Sequence, residues 1–127
     1  MKRTVVIRVG PVEQSRRELK SDLAAIMRGE PVGSRREIWF PNLAQLAGVL
    51  TERRLELLRL IHEKHPASVA RLARSAGRAM KSIDADLQAL ADVGLVKLVV
   101  VGKLVRPLAQ YDRIQLAGDI ALGRAAA

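Results

Sequence analysis

A chain of 127 residues, 49% of them apolar, is one domain with room for a small appendage and has enough material for a modest core. One Trp, one Tyr and one Phe make that core aliphatic and leave no aromatic platform for stacking single-stranded bases. A formal charge of +9 points to a polyanionic partner, and the absence of cysteine excludes a disulfide framework, a thiolate metal site and a thiol nucleophile.

In chain order, Thr4 to Val9 is β-branched and predicts a strand, ended by Gly10-Pro11. Glu13 to Arg28 predicts a helix with Leu19, Leu23, Ile26 and Met27 along one side. The Gly, Pro and Ser content of 29–36 predicts a loop, and Glu37 to Phe40 a short strand before Pro41. Trp39 and Phe40 are expected to anchor a core, with a partner-binding spot as the other reading. Asn42 is placed to cap a helix through Leu50.

Thr51 then caps a helix with Leu55, Leu58 and Ile61 on its inner side, which His65-Pro66 ends. Ser68 caps Val69–Ala76, whose inner face is Val69, Leu72, Ala73 and Ala76. Gly77 supplies a tight turn. The long helix runs from about 78 to 93, buried at Ile83, Leu87, Leu90 and Val93 and closed by Gly94. Leu95 to Val101 continues as a strand, Gly102-Lys103 makes a hairpin turn, and Pro107 calls for a short or edge return strand. A strand near Arg113–Leu116 and a frayed Ala-rich tail complete the chain.

This order is the layout of a winged helix-turn-helix, a motif that sets one helix in the DNA major groove. The charge is distributed to match. No acid lies between Glu63 and Asp84, where Lys64, Arg71, Arg74, Arg78 and Lys81 fall. None lies between Asp92 and Asp112, where Lys97, Lys103 and Arg106 fall.

The run Leu-Gln-Ala-Leu-Ala-Asp-Val-Gly-Leu-Val (87–96), with Thr51-Glu-Arg-Arg-Leu-Glu-Leu-Leu and Ser68-Val-Ala-Arg-Leu-Ala-Arg, resembles the prokaryotic winged helix-turn-helix regulators of the MarR and ArsR style. The whole-chain layout is similar to a group of regulators often encoded beside a small toxin-like protein. The resemblance implies a DNA-binding autoregulator, or the antitoxin of such a pair with a cognate toxin as partner. Many relatives carry Ser-Arg at the middle of the recognition helix, where this chain has Asp84-Ala85-Asp86. A carboxylate there either accepts from a cytosine amino group or caps a neighbouring Arg, or it weakens DNA binding and favours a protein partner.

On the long helix, Arg78, Lys81, Ser82 and Ala85 are the expected base and phosphate contacts. Arg71 and Arg74 are phosphate contacts, and Lys97, Lys103 and Arg106 belong to the wing. Each competes with the reading of a solvated charged face. Arg53 and Arg54 are expected to pair with Glu52 and Glu56 instead of meeting DNA. His62-Glu63-Lys64-His65 makes a poor metal site without further His or Cys, and His65 suits the carbonyl end of its helix. No nucleophile elbow or phosphate-cradling Gly loop is present, and Asp84 and Asp86, two apart, point to different sides of a helix, so neither catalysis nor a cofactor is expected. Without a long apolar run or a signal-peptide layout, the chain is expected to be cytoplasmic, with no membrane partner.

The expected architecture is α+β: an N-terminal strand-helix-strand element for dimerisation or partner binding (1–41), a winged helix-turn-helix (42–116) and a flexible tail (117–127). The expected function is that of a homodimeric, sequence-specific double-stranded DNA-binding repressor, with Thr4–Val9 as an edge strand able to pair between subunits. The alternative is a protein-interaction module that neutralises a toxin.

Overall fold

The computed structural model describes residues 3–30, 36–120 and 122–123. The described residues form ten elements in an α+β arrangement: β1 (Thr4–Val9), α1 (Val12–Met27), β2 (Arg36–Phe40), α2 (Leu43–Val49), α3 (Glu52–Lys64), α4 (Val69–Ala76), α5 (Met80–Asp92), β3 (Val96–Val101), β4 (Leu104–Ala109) and β5 (Arg113–Gly118). They form two compact units: residues 47–112 with Arg3, and Thr4–Leu46 with the chain from Arg113 onward.

The first unit is the winged helix. Thr51 Oγ1 accepts from the Arg54 N–H at 3.2 Å and opens α3. His65 closes it at φ 46°, donating its N–H to Ile61 O before Pro66. That left-handed turn is costly for a residue with a Cβ, and with the proline it forbids continuation of the helix. Leu57 and Ile61 of α3, Leu72 of α4, and Ile83, Leu87 and Leu90 of α5 are essentially fully buried. Each such side chain stabilises by about 1.5–3 kcal/mol through burial. Leu57, not Leu55 or Leu58, carries the buried face of α3 with Ile61, because residues four apart stack on one side.

β3 and β4 pair antiparallel about the Gly102-Lys103 turn, with Val101 opposite Leu104 and Val96 opposite Ala109. Pro107 does not shorten the return strand: it lies buried opposite Leu98. Both strands of a two-stranded sheet are edges, so its missing N–H need not break a ladder.

The second unit is a three-stranded, all-parallel sheet in the order β2-β1-β5. Parallel neighbours need long crossovers. The β1-to-β2 crossover contains α1, and the β2-to-β5 crossover contains the entire winged helix. The wing unit is therefore an insertion between two strands of one sheet. Two expectations change. β1 is the central strand, hydrogen-bonded on both sides, so it has no free edge to offer another subunit. Residues 113–118, expected in the winged helix and the start of the tail, form a strand of the N-terminal sheet. A Cβ on Gly118 would come within 2.8 Å of Val9 O, and its φ is 146°, so glycine is required where β5 closes against β1. Of the expected tail, residues 121 and 124–127 lie outside the described residues.

On the α1 side of this sheet, Arg8 donates to Glu18 of α1 at 2.9 Å and stands 3.5 Å from Glu37. Its guanidinium lies 4.7 Å from the Trp39 ring centroid, and Trp39 Nε1–H donates to Glu37. Phe40 is buried. Trp39 and Phe40 are thus built into the unit.

Candidate nucleic-acid interface

Ser68 Oγ accepts the Arg71 N–H at 3.2 Å and starts α4. Gly77, at φ 66°, ends it: the Gly77 N–H reaches Arg74 O and the Arg78 N–H reaches Ala73 O. Such a left-handed turn satisfies the last carbonyls and swings the chain into the next helix. α5 begins at Met80 with Ala79 as a cap that offers no side chain. Ile83, Asp86, Leu87 and Leu90 face inward, while Lys81, Asp84, Ala85 and Gln88 are exposed.

Asp86 is fully buried, and three arginines hold it. Arg54 Nε and Arg53 Nη2 each lie 3.1 Å from Oδ1, and Arg78 Nη2 lies 2.6 Å from Oδ2. Arg78 also donates to Ser82 Oγ at 2.5 Å, and Arg54 Nη1 donates to the carbonyls of Gly48 and Val49 at 2.9 Å. Burial alone pushes the Asp86 carboxyl up. The hydrogen bonds from Arg78, Arg54 and Arg53, with the charge of Arg53, outweigh it and hold the group below its ordinary range. Chemically the cluster is a clamp, fixing the rotation of α5 against α3 and against the residues entering α5.

The clamp alters several expectations. Arg53 and Arg54 meet Asp86, across the helix interface, rather than Glu52 and Glu56. Arg78 and Ser82 are engaged internally, because Asp86, about two turns along, neutralises the Arg78 guanidinium and Ser82 Oγ accepts from it, so neither presents a free head group at the helix start. Asp86 is not on the solvent side of α5. Its position three residues after Ile83 and one before Leu87 places it inside the apolar stripe. A carboxylate in a buried stripe, with the two arginines Arg53 and Arg54 at the start of α3, is the signal from which the clamp could have been read.

Of the other expected contacts, Arg71 and Arg74 are exposed on α4, Lys81 and Ala85 on α5, and Lys103 at the wing tip. Arg106 is half-buried on β4, and its Nε is buried without a hydrogen-bond partner among the described residues. Lys97 lies at the base of the hairpin, in the wall of a cavity of about 400 Å³ shared with His62, His65 and Asp112. There His62 Nε2 and Asp112 Oδ1 are 2.8 Å apart, and Asp112 Oδ2 accepts the Arg3 N–H at 2.7 Å. The Arg3 N–H and His62 hold the Asp112 carboxyl below its ordinary range. Among the described residues no cluster of His, Asp and Glu has the makings of a metal site. No described helix is long and apolar enough to cross a membrane.

The model of one family, HVO_A0114, matches residues 49–116, from the end of α2 into β5. The chain belongs to the HVO_A0114 family. The matched segment contains the helix-turn-helix, the wing, and Asp86 with its three arginines. None of the curated proteins matches the chain. Among solved structures, it is similar to a domain from Mycobacterium bovis determined in solution by NMR. That domain is described as the homodimeric winged helix-turn-helix DNA-binding domain of a possible ArsR-family transcriptional regulator. The identity is 22% over 74% of this chain and 68% of that one, with a TM-score of 0.45.

Proposed function

We propose that this protein is a sequence-specific, double-stranded DNA-binding transcription regulator of the cytoplasm, acting as a homodimeric repressor of its own gene. One observation carries the reading. The exposed cations Arg71, Arg74, Lys81 and Lys103 sit on the helix-turn-helix and on the hairpin tip, and residues 64–83 contain no acid. These are the two elements that a winged helix presents to a duplex.

In this mechanism the N-terminal half of α5 enters the major groove. Lys81 donates to a guanine edge or a phosphate, Ala85 packs on a thymine methyl, and Asp84 accepts from a cytosine amino group. Arg71 and Arg74 hold phosphates and set the register. Lys103, with Arg106 behind it, follows the backbone or minor groove. Arg78, bonded to Asp86 and to Ser82 Oγ, acts with Ser82 as a positioning pair that fixes the angle at which α5 is presented. A twofold partner supplies the second half-site, one helical turn away.

The toxin-neutralising alternative drew on Asp84 and Asp86 as a disturbance of the reading helix. It drew also on the long N-terminal element; Asp86 serves the interior, which removes one of these grounds, and no observation favours the alternative over DNA binding.

The test is binding to the duplex upstream of the protein's own gene, beside a scrambled duplex, across a salt series. Preference for the native duplex by about a thousandfold or more is expected. Equal, steeply salt-dependent binding to both would reduce the interaction to charge alone and overturn the reading.

A further inference from the structure

Helix α1 faces the wrong way for a lone subunit. Its inner side carries Glu18, which pairs with Arg8 beneath it. Its outer side carries Leu19, Leu23, Ile26 and Met27, which remain 62%, 53%, 57% and 88% exposed. These positions fall within about 100° of one another on a helical wheel, outside the position of Glu18, so they form one stripe along a helix about 24 Å long. Four large apolar side chains left in water forgo several kcal/mol of burial, and a contiguous patch of this kind marks an interaction surface.

Charge identifies the occupant. Residues 12–30 contain four cations (Arg16, Arg17, Lys20, Arg28) and four acids (Glu13, Glu18, Asp22, Glu30), so the segment is neutral in a chain of +9. Arg16 lies within the arc of the stripe, but the helix as a whole carries no net charge and so has little attraction for DNA. It also lacks the excess of Lys and Arg that draws an amphipathic helix to an anionic membrane surface. It does allow two copies of a strongly basic protein to approach without repulsion. A twofold contact requires a self-complementary patch, and an apolar stripe on a charge-balanced helix satisfies that requirement.

We infer that the stripe Leu19, Leu23, Ile26 and Met27 of α1 is the surface on which a second copy of this chain docks, α1 against α1 about a twofold axis. The inference rests on the homodimer reading above and names its interface. It also replaces β1, whose edges are both taken, as the element that joins subunits.

The chain has no cysteine, which gives a clean background for cross-linking. Single-cysteine variants Leu23→Cys and Ile26→Cys of the full chain, with Glu63→Cys on α3 as the control, are oxidised mildly at micromolar concentration. In parallel, sedimentation velocity is run on the wild type and on the double variant Leu19→Gln/Leu23→Gln, with far-UV circular dichroism to verify folding. The expected results are a wild-type dimer, disulfide dimers at least tenfold faster from the α1 cysteines than from Glu63→Cys, and a dimer dissociation constant raised tenfold or more in the double variant. A wild-type dimer whose cross-linking shows no preference for α1 would overturn this interface and leave the homodimer reading standing. A wild-type monomer at tens of micromolar would overturn both, and specific binding to the upstream duplex would still stand or fall by its own assay.

Discussion

Helices α1 and α5 carry the same kind of apolar periodicity and put it to opposite uses. In α5 the stripe Ile83, Leu87 and Leu90 is sealed inside, and even a carboxylate within it, Asp86, is drawn in and matched by three arginines. In α1 the stripe Leu19, Leu23, Ile26 and Met27 lies on the surface, and the side turned to the sheet is held by an ion pair. Periodicity marks a face that must be covered. What covers it depends on partners that no single helix specifies.

The contrast can be broken most severely at Asp86. Asp86→Ala leaves the half-buried Arg54 and Arg78 without their counter-charge, and the expected loss is up to about 3–5 kcal/mol, the cost of removing one partner of a fully buried pair. Equilibrium urea unfolding measures it. A loss below about 1 kcal/mol would mean that the clamp is not the device holding α5. The same carboxylate gives a pH signature. Its pKa in the folded protein lies below its ordinary 3.8, so its contribution is complete above that value and disappears as pH falls through the folded value. The unfolding midpoint is therefore expected to be insensitive to this group near neutrality and to fall below about pH 4. Asp86→Asn should weaken that fall without abolishing it, since Asp112 shifts in the same direction.

Smaller effects sharpen the difference between a reading face and a docking face. Lys81→Ala should change preference among duplex sequences by about 1–3 kcal/mol if its ammonium meets a base edge. Competition binding with single-base variants of the upstream site would detect this, and an unchanged preference would remove Lys81 from base readout. Lys103→Ala should weaken all duplexes alike and reduce the salt slope by about one unit, as loss of one phosphate contact requires. Leu23→Ala should alter the stability of the isolated subunit by no more than about 0.5 kcal/mol, because the side chain is a surface residue there. Urea unfolding at a concentration where the protein is monomeric checks that expectation.

The winged helix was legible in the sequence because its signals are local. Thr51 and Ser68 cap the helices they precede, Gly77 and Gly102 sit at the two tight turns, and the stripe of α5 follows from its spacing. The sheet was not legible in the same way. β5 pairs with β1 in parallel, Thr4 beside Arg113, and a pairing across more than a hundred residues leaves no mark in either segment's composition. The candidate site was legible in part. Exposed cations such as Arg71, Lys81 and Lys103 can be placed from helix and turn positions alone. The internal engagement of Arg78, and through it of Ser82, depends on Asp86 reaching Arg78 and on Arg53 and Arg54 arriving from another helix, which is a tertiary fact.

The most direct test of the central claim uses the same absence of cysteine. A DNA-cleaving iron chelate is attached at Gln88→Cys, one turn beyond Ala85 on the exposed side of α5, and separately at Leu23→Cys on α1. Each protein is then bound to the upstream duplex. A helix lying in the major groove predicts strand cuts confined to a few base pairs from the Gln88 position and none from the Leu23 position. Equal cutting from both positions, or cuts scattered along the duplex, would contradict the assignment of α5 as the reading helix.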